Sequence, residues 1–172
     1  MTSRSLTVRR ATTDDSASIA GLINAAFAEY RPWLVPPSGA LEETIATIAA
    51  QLAGVYGVAI AERDGEPCAC VLFRPEGADL YFGRLSVRPV NRGNGPAEAL
   101  VAFVEDEARV RGCPGVALEV RIALPANQRL FTRFGYSEVA PHAHPGFADP
   151  TWIEIRVAGT LDRLPASKNT LR

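Results

Sequence analysis

Lysine is almost absent from this chain: of 18 basic residues, only Lys168 is lysine and 17 are arginine. That bias fits genomic composition as well as a functional arginine set. The acidic residues number 19, leaving a net charge of −1. A chain so close to neutral has no broad basic face for bulk nucleic-acid binding. Long apolar runs are missing too. No stretch approaches the ~18 apolar residues of a membrane span. The opening "MTSRSLTVRRATTDD" has no apolar core of signal-peptide length. Cysteine is scarce and odd in number: Cys68, Cys70 and Cys113. Cys68 and Cys70 sit two apart, which in a regular strand puts them on one face, where a disulfide is geometrically poor. With only two histidines they match no common zinc spacing, so no metal site is expected. These shortages point to a reducing, cytoplasmic setting.

What is present is enough for one domain with a sizeable core: 172 residues, 47% of them hydrophobic. Leu6–Thr12 alternates and predicts a strand. Asp14 or Asp15 is placed to cap a helix whose Ile19, Leu22, Ile23 and Phe27 share a face. Tyr30–Gly39 is a proline-rich loop. A second helix is expected over Leu41–Ala53, with Leu41, Ile45, Ile48 and Leu52 at helical spacing. "GVAIAERDGEPCACVLFRP" reads as a hairpin about Asp64-Gly65, a strong turn pair. "ADLYFGRLSV" is a strand. A helix over Gly95–Arg111 stops at Gly112. "GVALEVR" is a strand, Ala126–Arg133 a short helix, and "GYSEVA" and "PTWIEIRVAG" are strands. Residues 1–160 are expected to form a single domain and 161–172 a polar tail. The order β-α-α-β-β-β-α-β-α-β-β describes an α/β mixed sheet of six to seven strands flanked by about four helices.

The loop in front of the third helix carries the chemistry. It reads "VRPVNRGNGPA", from Val87 to Ala97. Pro96 suits the first helical position, where its missing N–H costs nothing. Gly95 is then the N-cap and has no side chain to bond the free first-turn N–H groups. An anion can take that place. Gly93 and Gly95 permit positive φ and close backbone approach, and Arg92 adds a full charge. This suits a phosphate or pyrophosphate, although a turn that binds nothing has the same composition. No Gly-Lys-Ser/Thr follows, which excludes a Walker A loop, and Glu98 stands where the dinucleotide fingerprint needs its third glycine. Along the helix itself Leu100, Val101, Val104 and Ala108 face the sheet, and Glu105, Asp106 and Glu107 are expected to point mostly to water.

"VRPVNRGNGPA" resembles the acetyl-CoA signature of the GNAT (Gcn5-related) N-acetyltransferase superfamily, with Arg92, Gly95 and Ala97 in its three signature places. "LFTRFGY" (Leu130–Tyr136) is similar to the superfamily's second landmark, and the order of elements matches along nearly the whole chain. The resemblance implies acetyl-CoA as acyl donor. Leu85, Ser86 and Val87 would bond its pantetheine arm through their backbone. The amides of Arg92, Gly93, Asn94, Gly95, Pro96 and Ala97 would surround the pyrophosphate, less the N–H that proline lacks. The strand Val116–Arg121 would splay from its neighbour to leave a slot for the thioester. Asn127 and Phe131 would line the other side, though Asn127 also suits a helix cap.

Two common catalytic groups of the superfamily have no counterpart. Its landmark often carries a tyrosine that protonates the departing thiolate; here that place is Phe131. Many members carry glutamate on the fourth strand as a base; here the strand reads "YFGRLSV", with Arg84 and no carboxylate. Activity survives such losses in principle, because a thiolate with a thiol pKa of about 8–9 leaves readily and proximity supplies much of the rate. The candidates for a catalytic base are His142 and His144, in the loop joining the last two strands, and Glu119. Glu119 and Arg121 share a face of the fifth strand and either line the acceptor slot or pair with each other. Glu29, Tyr30 and Trp33, with Arg84 and Arg121, are the expected substrate side. The expected activity is N-acetylation of a small-molecule or exposed amine. A non-catalytic acyl-CoA-binding sensor, or transfer of another acyl group, fits the same residues. The partners are then acetyl-CoA and an amine, with no nucleic acid or membrane; a homodimer is compatible with the sequence.

Overall fold

The computed structural model describes residues 5–158, so the polar tail expected at 161–172 lies outside the described residues. Seven strands form one sheet in the order β1-β2-β3-β4-β5-β7-β6. They are β1 (Leu6–Arg10), β2 (Gly57–Arg63), β3 (Glu66–Glu76), β4 (Asp79–Val87), β5 (Gly115–Arg121), β6 (Ser137–His142) and β7 (Trp152–Ala158). Four helices flank it: α1 (Ser16–Phe27), α2 (Ile45–Ala53), α3 (Pro96–Val110) and α4 (Pro125–Arg133). The sequence of elements is the expected one.

The sheet separates two cores. On one face Leu100, Val101, Val104 and Ala108 of α3 and Phe131 of α4 pack on Phe73, Phe82, Leu118 and Ile155. On the other, Ile19, Leu22 and Ile23 of α1 and Ile48 of α2 cover Val58, Ile60, Cys70 and Leu72 of β2 and β3. Strands β2 and β3 are buried on both sides, which explains their near-continuous apolar runs. Helices α1 and α2 stop short of β5 and β7, whose same face carries Glu119, Arg121, Trp152 and Glu154.

Local chemistry moves several expected boundaries. Leu41 lies in a 3-10 turn at Gly39–Glu42, and α2 begins only after Thr44, whose side chain accepts from the Thr47 N–H. Ile45 is consequently exposed while Ile48 is fully buried. Asp15 does not cap α1; its carboxylate turns back to accept from the Thr12 N–H at 2.8 Å. Cys68 and Cys70 do not share a face. Cys68 is the extra residue of a bulge between the Ala61–Ala69 and Glu62–Pro67 pairs, and the two thiols lie in opposite cores. A bulge resets the two-residue alternation, which spacing alone cannot reveal. Glu105 is buried, contrary to its expected exposure, and accepts a hydrogen bond from the Tyr136 hydroxyl at 3.1 Å.

Candidate active site

Strands β4 and β5 run parallel but pair only twice, Leu80 with Val116 and Tyr81 with Ala117. Beyond Tyr81 they part, and the β4 edge from Phe82 to Val87 has no β5 partner. Such an edge is a template for an extended, amide-bearing ligand. Within this stretch β4 is bulged: Arg84 and Leu85 oppose the single Val71, between the Cys70–Ser86 and Leu72–Gly83 pairs. Arg84 adopts a φ of 55°. A left-handed non-glycine residue persists only where its surroundings hold it. Here the hold is Glu43, nearly buried, whose Oε1 accepts from Arg84 Nε at 3.0 Å. Thr47 and Gln51 donate to its other oxygen at 2.8 and 3.1 Å.

A cavity of about 700 Å3 runs from the splay to the start of α3. Arg92, Gly93, Gly95, Pro96, Ala97 and Glu98 line one end, and Arg84, Leu85, Val87, Glu119 and Arg121 line the strands. Gly95 is the N-cap of α3 at φ 88°, with Pro96 following and no side-chain cap. A Cβ on Gly93 or Gly95 would meet nothing within 4 Å, so it is their positive φ rather than a close neighbour that favours glycine there. The donors suit an anion: uncapped first-turn N–H groups and a nearby guanidinium. Arg92 is already engaged, with Glu29 at 2.7 Å and with the Ala26 carbonyl at the end of α1 at 3.3 Å. Tyr30 and Asn127 both line the cavity, and the Tyr30 hydroxyl is within reach of the Asn127 and Glu29 side chains. Phe131 lines the cavity and is also a packed core aromatic, with Phe82, Tyr136 and Phe134 rings at 5.9, 6.0 and 6.2 Å. Four of the expected cofactor- and substrate-side residues stand apart from the lining: Glu29, held in its ion pair with Arg92, and Asn94, Ser86 and Trp33. The Asn94 carbonyl is taken by Arg63. The Ser86 hydroxyl is buried and donates to the Arg84 carbonyl. Trp33 is half-exposed, its indole N–H bonded to the Glu29 carbonyl.

A second cavity, of about 160 Å3, opens on the face that α1 and α2 leave bare. Its walls include Glu76, Tyr81, Glu119, His142, Trp152 and Glu154. Glu119 is the one carboxylate that lines both cavities. Solvent reaches its side chain through the cleft, yet crowding by the surrounding protein, then the Glu76 carboxylate, raises its pKa above the usual carboxylate range. His142 is the last residue of β6 rather than a loop residue, and it stacks on Trp152 with centroids 4.2 Å apart. His144 is in the loop, lines neither cavity and is tied to Thr151. Burial, and secondarily the charge of Arg121, lower its pKa. Arg121 and Glu119 make no ion pair with each other; Arg121 donates to the Pro36 carbonyl at 2.6 Å, which draws the loop after α1 against β5. Among the described residues no three His, Cys, Asp or Glu converge to hold a metal ion.

A sequence profile described as the Acetyltransferase (GNAT) family matches residues 21–136. The chain belongs to the GNAT acetyltransferase family. A curated acetyltransferase from Agrobacterium fabrum, Atu2258, is 33% identical over 78 residues, and that match covers 45% of this chain and 56% of the relative. Three solved structures share the GNAT fold. The ribosomal-protein-S18-alanine N-acetyltransferase of Escherichia coli superposes with a TM-score of 0.72 at 18% identity, over 98% of this chain and 100% of that one. PaiA N-acetyltransferase of Thermoplasma acidophilum, solved with coenzyme A, gives 0.75 at 10% identity over 90% and 99%. YncA of Salmonella typhimurium, solved with acetyl-CoA, gives 0.65 at 21% over 96% and 99%.

In this GNAT chain the α3 loop is legible in the residues and the splay only through the resemblance to the family; the residues that shape the rest are not. Glu43 gave no signal beyond a charge within the helix expected over Leu41–Ala53, which in the structure begins only at Ile45. Glu76, Trp152 and Glu154 belong to strands, and only the alternation Trp152, Glu154, Arg156 hinted at a polar face. Their meeting depends on the order β5-β7-β6, which spacing does not contain.

Proposed function

We propose that this chain is an acetyl-CoA-dependent N-acetyltransferase that acylates a primary amine by direct attack on the thioester. Similar proteins support the donor: two of the structures above hold coenzyme A or acetyl-CoA. The observation that carries the reading is Glu119, common to the larger cavity and to the smaller one behind it. Acetyl-CoA, when bound, supplies an activated carbonyl that an amine nitrogen attacks as the C–S bond breaks and the thiolate leaves with its electrons. The uncapped amides at Ala97 and Glu98, with Arg92, hold the pyrophosphate. The free β4 edge from Phe82 to Val87 aligns the pantetheine arm, and an N–H of the bulge at Arg84–Leu85 polarises the carbonyl. Glu119 takes the ammonium proton, directly or through one water. Phe131 packs against the cleft and offers no proton.

The test is release of CoA over a panel of primary amines, with Glu119→Gln beside the parent. The variant should lose 10²-fold or more in kcat/KM, the usual scale for a general base, with acetyl-CoA affinity unchanged. The parent's acid limb should have its midpoint above the ordinary glutamate value of about 4.3, because the base must be unprotonated and its pKa is raised. Loss of that limb in the variant, with a midpoint that does not follow the acceptor's own pKa, identifies Glu119. An unaltered rate and profile in the variant would remove it. Acetyl-CoA binding with no release on any amine would leave a binding module.

A further inference from the structure

The bulge of β4 is held from two sides. Arg84 and Leu85 share one partner, Val71, and Arg84 takes a φ of 55° there. That conformation is unfavourable for a residue with a Cβ and persists only where its surroundings fix it. On one side the fully buried Ser86 hydroxyl donates to the Arg84 carbonyl at 2.8 Å. On the other the guanidinium reaches Glu43, which lies between the 3-10 turn Gly39–Glu42 and α2. Arg84 Nη2 sits so close to this segment that a Cβ on Gly39 would stand 3.3 Å from it. Glu43 is itself anchored. Thr47 and Gln51 donate to its second carboxylate oxygen, and Asn24 Nδ2 of α1 donates to its carbonyl at 3.0 Å. Arg84 is its one ion-pair partner among the described residues. A carboxylate is costly to bury, and this one lines neither cavity. The residue it grips does line the larger one.

We propose that Glu43 is a positioning residue for acyl transfer: through Arg84 it aims the peptide whose N–H polarises the thioester carbonyl. The inference rests on the transferase reading above, which puts that carbonyl at the bulge. A trans peptide is planar, and its N–H points opposite its carbonyl. With the Arg84 side chain anchored at Glu43 and its carbonyl at Ser86, the Leu85 N–H is left one direction. A hydrogen bond to charge that develops in the transition state depends steeply on alignment. Once the guanidinium is released, residue 84 relaxes towards negative φ, the ordinary region for arginine. That rotation swings the Leu85 N–H away from the carbonyl.

Infrared difference spectra of bound acetyl-CoA, isotopically labelled at the acetyl carbonyl, read the polarisation before any turnover. The parent should lower the carbonyl stretch relative to free acetyl-CoA, and Glu43→Ala should return it towards the free value. With an accepted amine, kcat of Glu43→Ala should fall about tenfold or more, part of the 10²–10³ that losing a whole oxyanion donor costs. Acetyl-CoA affinity by calorimetry should change by less than about threefold, since the contact matters in the transition state. Glycine takes positive φ without strain. Adding Arg84→Gly to Glu43→Ala should therefore restore the lowered stretch and recover about fivefold or more of kcat over Glu43→Ala alone. A merely structural Glu43 would move the melting temperature but not the band, and glycine would rescue neither band nor rate. Where Glu43→Ala does not fold, Glu43→Asp takes its place: it keeps the charge beside Thr47 and Gln51 but withdraws it from Arg84 by one methylene, with the same losses and the same rescue expected. A parental band and kcat in the folded variant, or a double variant no better than the single, overturns the proposal. The transferase reading fails separately. A lowered band that depends on Glu43, with no CoA released to any amine, keeps the positioning and discards the transfer. CoA release by a parent whose bound carbonyl is unshifted does the reverse, and a parent that binds no acetyl-CoA overturns both.

Discussion

At the scale of single residues, Phe131 poses the sharpest question. It is nearly buried among three aromatic rings and still borders the larger cavity. A ring at that border can carry a hydroxyl without burying it unpaired, so Phe131→Tyr should change stability by less than about 1 kcal/mol. Turnover should rise, because the new phenol can protonate the departing thiolate. A rate equal to the parent's would mean that the thiolate leaves without help. A stability loss of several kcal/mol would mean that the ring is fully enclosed. The histidines teach the complementary lesson. Both looked alike in "PHAHPGFADPTW", yet one ends a strand and lines a cavity and the other is tied to a loop threonine. Residue type nominated them; only the reach of β6 separated them.

At the scale of elements, the α3 loop was legible because its demands are local. Proline at the first helical position, glycine at the cap and positive φ at Gly93 and Gly95 follow from backbone rules that tertiary contacts do not rewrite. What the loop meets was not legible: Arg92 is held by the Ala26 carbonyl of α1 and by Glu29 in the 3-10 turn that follows, some sixty residues earlier. That pairing yields a prediction of opposite signs. Arg92→Gln should weaken acetyl-CoA binding about tenfold, as expected from losing a charge-assisted hydrogen bond. Glu29→Gln should leave binding equal or tighten it up to about fivefold, since an exposed pair is worth at most about 1 kcal/mol. Titration of acetyl-CoA into both variants reads this directly. Weaker binding in both would mean that Glu29 orders Arg92 rather than competing for it. The β4 bulge was illegible for a similar reason: "YFGRLSV" alternates acceptably, and the positive φ of Arg84 depends on Glu43 from another element.

At the scale of the whole molecule, the sheet is tied across β5 by Arg156 of β7 and Asp79 of β4, with Nη2 to Oδ1 at 2.8 Å. The guanidinium crosses where β5 has Gly115; a Cβ there would come within 2.5 Å of it. The hydrogen bonds from Arg156 hold the Asp79 carboxyl below its usual pKa. A depressed folded-state pKa gives stability that is present above the unfolded value and lost as pH falls through the folded one. Asp79→Asn should therefore cost about 1–2 kcal/mol near neutral pH and flatten the acid side of the stability curve, read by urea denaturation at several pH values. An unchanged acid side would show that the tie is screened. This clamp closes β4, β5 and β7 at one end; at the other β4 and β5 part into the cleft while β7 stays paired with β5. The central claim is that the open end holds acetyl-CoA by the first turn of α3. Calorimetric titration of acetyl-CoA into the parent and into Gly95→Val, with both folds checked by circular dichroism, tests it most directly. The account predicts one-to-one binding by the parent and an affinity at least tenfold lower in the variant, about 1.4 kcal/mol. No binding by the parent, or equal affinity in a folded variant, would contradict it.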